Sequence, residues 1–357
     1  MSRRKKTLLT ALAFILGFIM TAGIIFKLLL GPELAPDGLR PVLRGDWQEA
    51  EAQSPLSPPE KLTVLSLNMH YGVGREDDWD KRFSKEHVLG YLDKIADLIR
   101  SLDCDIVLLQ EVDYDSDRSH NIDQMRYIAR AAGLPYMAPC RTWKVNYLPF
   151  PYWPPSAHYK KVDSGQAVLS RWPISRNYVK RLPKPASNSA IYNLFYLTRS
   201  IQEAIVNVAG RNIAVYNVHL EAFDNDNRDE QAEILRGFVA ERRGKYSLMA
   251  GDFNSIPPEA KLKANFADEP ETDMSGDETI STIRRLGLRE IIESERYLAD
   301  EQAALTFPAD AVNRRLDYLW YSPNLEPSDG GVYCCGGIFS DHMPVYGVFT
   351  FKDESIR

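Results

Sequence analysis

The chain is poor in the residues that mark several large functional classes. Its 357 residues hold four cysteines, Cys104, Cys140, Cys334 and Cys335, with no C-x-x-C spacing. That excludes a disulfide framework and a thiolate-held zinc site. Cys104, inside an apolar run, reads as a buried thiol. A bond from Cys140 to one of the adjacent Cys334-Cys335 pair is the alternative to free thiols there. No H-E-x-x-H pair occurs among the six histidines, so the helix-borne zinc hydrolase pattern is absent. Asp113-Tyr114-Asp115-Ser116-Asp117 opens like a calcium loop, but Arg118 stands where the sixth-place glycine belongs and Gln124 where the twelfth-place glutamate belongs. There is no internal repeat. The first thirty residues lack acids altogether: Arg3, Arg4, Lys5, Lys6 and Lys27 give them +5, so a formal net charge of −6 leaves −11 on the remainder. A body that acidic does not suit a protein living on nonspecific attraction to duplex phosphates, although a local basic groove stays compatible with it.

What is present is a globular composition, 44% apolar and 26% charged, on a chain long enough for one large domain or two small ones. Thr7 to Phe26 is uncharged, and its twenty positions in a helix would span about 30 Å, the thickness of a bilayer core. The stretch is long for a cleaved signal and no convincing A-x-A site follows it, so residues 1–30 read as a basic tail and one transmembrane signal anchor. The Arg3-Arg4-Lys5-Lys6 cluster should stay cytoplasmic, which places the body on the extracytoplasmic side, the periplasm in a bacterium. Residues 31–60, carrying Pro32, Pro36, Pro41, Pro55, Pro58 and Pro59, read as a linker, and residues 61–357 as the globular domain.

Within that domain apolar runs alternate with helical patterns. Leu62–Leu67, Asp105–Leu109, Gly165–Ser170, Arg315–Tyr321 and Val345–Phe351 read as strands. Ser200–Val208 and Asn212–Val218 flank Ala209-Gly210-Arg211 as a hairpin. Helices are expected over 86–102, 121–132, 226–243 and 279–293 from apolar residues at helical spacing. The stretch Leu248-Met249-Ala250-Gly251-Asp252-Phe253-Asn254 delivers a buried strand onto a tight turn with an acid and an amide. Polar residues recur where the other strands run out: Asn68, Glu111, His219, Asp341 and His342. Strand ends of one sheet can converge on a site. The oxygen-rich set suits a hard cation: Glu111 and Asp341 with the amide of Asn68 would suit Mg²⁺, which takes few carboxylates and keeps several waters. Singly, each residue has a plainer reading: a strand end for Asn68, a satisfied core histidine for His219, a surface ion pair with Arg314 or Arg315 for Asp317, a turn for Asp341-His342.

Taken together, the pieces resemble the endonuclease/exonuclease/phosphatase superfamily. They occur in family order: Leu67-Asn68, Leu109-Gln110-Glu111-Val112, Asn217-Val218-His219-Leu220, Gly251-Asp252-Phe253-Asn254, Arg315-Leu316-Asp317-Tyr318 and Ser340-Asp341-His342-Met343-Pro344. Gly165 to Arg171 is similar to the family's central strand. The resemblance covers about residues 61–351 and implies a four-layer α/β sandwich, two β-sheets packed face to face with helices outside, preceded here by one transmembrane helix. It implies Mg²⁺, with Mn²⁺ as the alternative, on Glu111 with Asn68 and Asp341 close by. It implies that Asp252 orients or deprotonates the attacking water and that Asn254 helps hold it. His219 and His342 would donate to phosphoryl oxygens, with Asp317 fixing the tautomer of His342. The reaction would be in-line hydrolysis of a phosphate ester.

The substrate class stays open. His219-Leu220 lacks the tyrosine found at the matching place in abasic-site endonucleases, which argues against that activity. Residues 143–159 hold Trp143, Tyr147, Phe150, Tyr152, Trp153 and Tyr159 among prolines. They read either as a packed loop or as a substrate wall or membrane-facing lip, with Trp153 as the candidate contact. Arg118, close after Glu111, is a candidate for a substrate phosphate. The anchor, the acidic body and the aromatic loop favour a lipid or small-molecule phosphodiester over a nucleic acid. An extracytoplasmic nuclease is the second reading. A non-catalytic binding protein on this fold is the third, and none of the site residues it would have lost is missing. The topology has a direct check: protease added to intact cells or spheroplasts should digest the body, and full protection without membrane rupture would reverse the orientation.

Overall fold

The computed structural model describes residues 3–48, 59–75 and 81–352. Part of the expected linker, residues 49–58, and the end of the expected catalytic domain, residues 353–357, lie outside the described residues.

Two seven-stranded mixed sheets pack face to face. In spatial order the first holds Gly38–Leu39, Ile174–Arg181, Ser200–Val208, Arg211–His219, Tyr246–Asp252, Asp317–Tyr321 and Arg289–Glu290. The second holds Leu325–Val332, Val345–Phe351, Leu62–Asn68, Ile106–Asp113, Lys160–Ser170, Tyr136–Leu148 and Leu43–Arg44. Each sheet has one parallel pair, Leu62–Asn68 beside Ile106–Asp113 and Arg211–His219 beside Tyr246–Asp252. A parallel pair needs a crossover, and the helices Lys85–Ser101 and Asn225–Arg242 supply it. Ser84 caps the first, accepting from the His87 N–H, and Asp224 caps the second, accepting from the Asn227 N–H.

The strands are buried on both faces, so their apolar residues are near-continuous and the pleat decides which layer each one joins. Leu62, Val64, Ile106, Leu108, Val215, Leu248, Ala250 and Leu319 form the core between the sheets. Their neighbours Leu65, Leu67, Val107 and Leu109 pack under Val88, Leu92, Ile95 and Ile99 of the first crossover helix. Tyr216, Val218 and Met249 pack under Leu235, Phe238 and Val239 of the second. This is the expected four-layer α/β sandwich.

The expected helix at 279–293 is shorter. It runs Thr279–Arg284, the chain turns at Gly287 with a left-handed φ of 69°, and Arg289–Glu290 joins the sheet edge beside Trp320 and Tyr321. The 13-residue strand Tyr136–Leu148 carries no clean alternation, because its register shifts twice against Lys160–Ser170. Residues 31–48 are held against the body, unlike a free spacer: Gly38–Leu39 pairs with Tyr178–Val179, Leu43–Arg44 pairs with Tyr136–Met137, and Asp37 accepts from the Lys180 ammonium at 2.7 Å. Cys140 is buried in its strand while Cys334 and Cys335 are exposed beyond the opposite edge of the same sheet, so these thiols are free and the alternative disulfide is not formed.

The N-terminal helix spans Arg3–Leu30, and its apolar stretch Leu12–Leu30 is long enough to cross a bilayer.

Gly251 has a φ of 147°, and a Cβ there would lie 1.8 Å from the Val218 carbonyl oxygen of the parallel neighbour. Gly251→Ala should therefore destabilise the fold by about 2 kcal/mol or more, read as a lower urea midpoint with an unchanged slope.

Candidate functional site

The pleat that builds the inner core also aims the polar strand ends. Asn68 keeps the phase of Leu62 and Val64, His219 that of Ile213 and Val215, Asp252 that of Leu248 and Ala250, and Asp317 that of Leu319 and Tyr321. All four side chains thus enter the space between the sheets just where apolar packing ends. Register fixes the pairing: Asp252 lies opposite both His219 and Asp317. Glu111 reaches the same place by another route. It has a left-handed φ of 56° and sits in a register shift between Leu109 and Val112. The bulge turns its carboxylate away from the helix layer and into the cleft.

Beneath these groups lies a floor of buried amides. Asn217 donates to the Leu109 and Ala167 carbonyls at 3.1 and 3.0 Å and accepts from the Gln110 amide at 2.7 Å. Gln202 in turn donates to the Ala138 carbonyl at 2.8 Å and to Asn177 at 3.1 Å. These bonds tie the two sheets together in one register, although the Gln110 Oε1 is left without a partner.

Above the floor, His342 Nδ1 lies 2.8 Å from Asp317 Oδ2, and its Nε2 lies 3.7 Å from Asp252 Oδ2. His219 Nε2 is 3.4 Å from the same Asp252 oxygen. The Asp252 Oδ1 accepts from the Asn254 N–H at 2.8 Å, and Asn254 donates its side-chain amide to the Leu220 carbonyl at 3.0 Å. Asn68 donates to Asp252 at 3.1 Å and to Glu111 at 3.3 Å, while its oxygen accepts from the His70 N–H at 3.2 Å. In this arrangement Asn68 braces the two carboxylates. The ligand role expected of it would require its amide to turn over. Asp341 faces His70, with 3.5 Å between its Oδ2 and Nδ1.

The environment separates groups of one chemical type. Burial pulls against the charge on His342, but the carboxylates of Asp317 and Asp252 outweigh it and raise its pKa well above the usual value. Burial, with the positive charges of Arg199 and His342, pushes His219 well below it. At neutral pH His342 is an imidazolium and His219 a neutral ring. Burial pushes the Asp252 carboxyl up to about 7, opposed by His342 and reinforced by Asp317. Burial acts upward on Glu111 too, but there His70, Arg118, Arg199 and His342 prevail and hold it below the usual carboxylate range. Asp252 is therefore poised to exchange a proton, and Glu111 stays ionised.

Asn68, Glu111, His219, Asp252, Asn254, Asp341 and His342 line one cleft of about 940 Å³, with Asp317 behind His342 and outside the lining. Arg118 lines it as well, but two of its nitrogens are engaged by Asp113 at 3.0 and 2.9 Å and its guanidinium lies 3.9 Å from the centre of the Tyr71 ring. Trp153 stands outside the lining, 79% exposed, next to Tyr152, which does line it. Two lining residues escaped sequence reasoning. His70 follows Asn68 by two positions in a turn with no motif of its own. Arg199 is buried beside His219, and its Nε and Nη1 find no hydrogen-bond partner. Its only sequence signal is a cation just before the strand Ser200–Val208.

Comparison with known proteins decides the kinship. The model of the endonuclease/exonuclease/phosphatase family matches residues 65–342. The chain belongs to this family. Among solved structures, an endonuclease/exonuclease/phosphatase from Beutenbergia cavernae shares 21% identity at a TM-score of 0.58, covering 82% of this chain and 72% of that one. A mannosyl-6-phosphatase from Bacteroides thetaiotaomicron shares 18% identity at a TM-score of 0.53, covering 81% of this chain and all (100%) of its own. A family protein from Leptotrichia buccalis shares 16% at 0.54, with 81% and 100% covered. At these identities the structures show the fold alone. A search of curated proteins found no match. The family gives the reaction class: the chain is a divalent-metal-dependent phosphoric ester hydrolase.

Within an endonuclease/exonuclease/phosphatase site, a charged His342 would be of use only while Asp317 holds it charged. Asp317→Asn should slow turnover by about one to three powers of ten with the fold kept. Because the carboxylate raises the His342 pKa, its loss should move the basic limb of the kcat–pH profile to lower pH. Rates for Asp317→Asn, His342→Ala and the double variant, with circular dichroism as the folding control, check this. Multiplicative losses would mean that the two residues act independently.

Proposed function

We propose that this endonuclease/exonuclease/phosphatase is a membrane-anchored, Mg²⁺-dependent phosphodiesterase, acting on a lipid or small-molecule ester on the extracytoplasmic side. The observation that carries the catalytic part is the convergence on one cleft floor of an ionised Glu111, a proton-exchanging Asp252 and an imidazolium His342. Together they offer a cation site, a base and a charged donor, the minimum set for in-line hydrolysis of a phosphate ester.

The donor chemistry fits a hard divalent cation. Glu111 and Asp341 are oxygen donors in the cleft, and both buried thiols lie elsewhere. A second grouping, Asp252, Asp317 and His342, has ligand atoms within 4.8 Å of one another. It is the poorer candidate, because His342 is protonated and already bonded to Asp317, and a ligating histidine must be neutral. A cation held by Glu111 and Asp341 would neutralise charge on the phosphoryl oxygens.

The side chains supply the rest. Asp252 Oδ2 faces both histidines and would take the proton of the attacking water. The Asn254 N–H fixes the other Asp252 oxygen and so its direction. His342 would donate from Nε2 to a phosphoryl oxygen, and neutral His219 would offer its single ring N–H. The Arg199 guanidinium, paired at 4.0 Å with Glu221 but with Nε and Nη1 free of hydrogen bonds, adds a buried positive charge to the lining of the same cleft. Arg118, tied to Asp113, would act on substrate mainly through its field.

Exhaustive EDTA treatment should abolish hydrolysis, with Mg²⁺ or Mn²⁺ restoring it, and Glu111→Gln should raise the metal concentration needed for half-maximal rate by about tenfold or more. EDTA-resistant turnover would overturn the metal assignment.

A further inference from the structure

The described apolar surface is unevenly distributed. Outside the N-terminal helix the exposed large apolar residues are Leu39, Tyr152, Trp153, Ile191, Tyr192, Leu194, Phe223, Leu262 and Leu298. Tyr152, Ile191, Tyr192 and Phe223 line the cleft, and Trp153 and Leu194 adjoin them in sequence. The short helix Ala190–Phe195, which carries three of the nine, has no buried residue. Scattered surface leucines need no explanation, but a contiguous aromatic and aliphatic rim around one cleft marks an interaction surface.

The end of the N-terminal helix shows what covers this rim. Phe26 packs edge-on against Phe195, with ring centroids 5.7 Å apart, and the Leu28 carbonyl accepts from the Asn146 side-chain amide at 2.8 Å. The apolar stretch ends at Leu30. Phe26 lies four residues earlier, about 6 Å deeper along a helix axis. If the helix crosses a bilayer, Phe195 and the short helix it closes lie at the boundary between headgroups and acyl chains. That is where amphipathic segments insert by about 5–10 Å and where Trp and Tyr concentrate.

We propose that the mouth of the cleft is seated on the leaflet from which the N-terminal helix emerges, and that the phosphate ester it takes is the headgroup of a phospholipid in that leaflet. This rests on the reading of the cleft as a phosphodiesterase site and of the helix as an anchor. The rim holds the acyl end in the bilayer while the phosphodiester reaches the floor. Water adds its oxygen to phosphorus, one P–O ester bond breaks, and the leaving oxygen takes up a proton. The products are an alcohol and a phosphate monoester, one of which stays in the membrane.

The test uses the full chain in phosphatidylcholine–phosphatidylglycerol vesicles, with Cys334→Ser and Cys335→Ser removing the exposed thiols. A nitroxide is attached at Leu194→Cys or, as the control, at Leu298→Cys near the opposite edge of the second sheet. The Leu194 position should collide preferentially with oxygen and the Leu298 position with a water-soluble nickel complex. Leu194→Asp should lower hydrolysis of the vesicle phospholipids by about tenfold or more while leaving bis(p-nitrophenyl) phosphate hydrolysis unchanged. A Leu194 label as open to nickel as the control, or shielded from both reagents by another protein chain, overturns the proposal. So does wild-type protein that cleaves the soluble diester but no phospholipid. Wild-type protein that cleaves neither overturns the phosphodiesterase reading itself, whatever the label reports.

Discussion

The structure depends on one constraint: two sheets share a single inner face, and the pleat leaves a strand no freedom about which residues occupy it. Once Leu62, Val64, Ile213, Val215, Leu248 and Leu319 are committed to the core between the sheets, Asn68, His219, Asp252 and Asp317 are committed to its rim. Moving any of these strands by one residue would bury the polar end under a helix and expose an apolar row to the cleft. The amide floor guards against that slip. Asn217 is bonded to three different strands, through Leu109, Ala167 and Gln202, and a one-residue shift would leave it buried and unsatisfied. Site geometry and core packing are therefore one property of the fold.

This explains which parts were legible in the sequence. A strand buried on both faces announces itself as an apolar run, and its polar end marks where burial stops, so Asn68, His219 and Asp252 could be read from position alone. Glu111 was legible as the polar end of its strand, but its direction was not, because its phase points toward the helix layer and a bulge corrects it. His70 and Arg199 were not legible, since both enter from loops whose course is set by tertiary packing. The strands Tyr136–Leu148, Ile174–Arg181 and Leu325–Val332 were missed for related reasons. The first is shifted twice in register, and the last carries Pro327, Gly330 and Gly331 at an edge that tolerates them. The proline-rich stretch after the first helix was read from composition, which reports stiffness and says nothing of attachment. Its first part adds an edge strand to each sheet.

An acidic chain can still bind an anion, because the cleft has a field of its own. Low-dielectric walls make a few buried charges count for more than a net charge spread over the surface. Glu111 registers this field: although half-buried, it is held below the usual carboxylate range by His70, Arg118, Arg199 and His342. Asp252 registers the opposite end, where Asp317 adds to burial and its proton is held more tightly. The potential thus falls from positive near Glu111 and Arg199 to negative near Asp252 and Asp317. In the proposed reaction, a phosphoryl group drawn to the positive end would leave its phosphorus facing the acid proposed to accept a proton. The same gradient accounts for the two histidines. His219, although 3.4 Å from Asp252, is pushed down by burial and by Arg199 and His342, while His342, held between Asp317 and Asp252, is pushed up. A single substitution that moved either carboxylate would thus change the protonation of more than one partner, which is why the roles of these four side chains cannot be assigned one at a time.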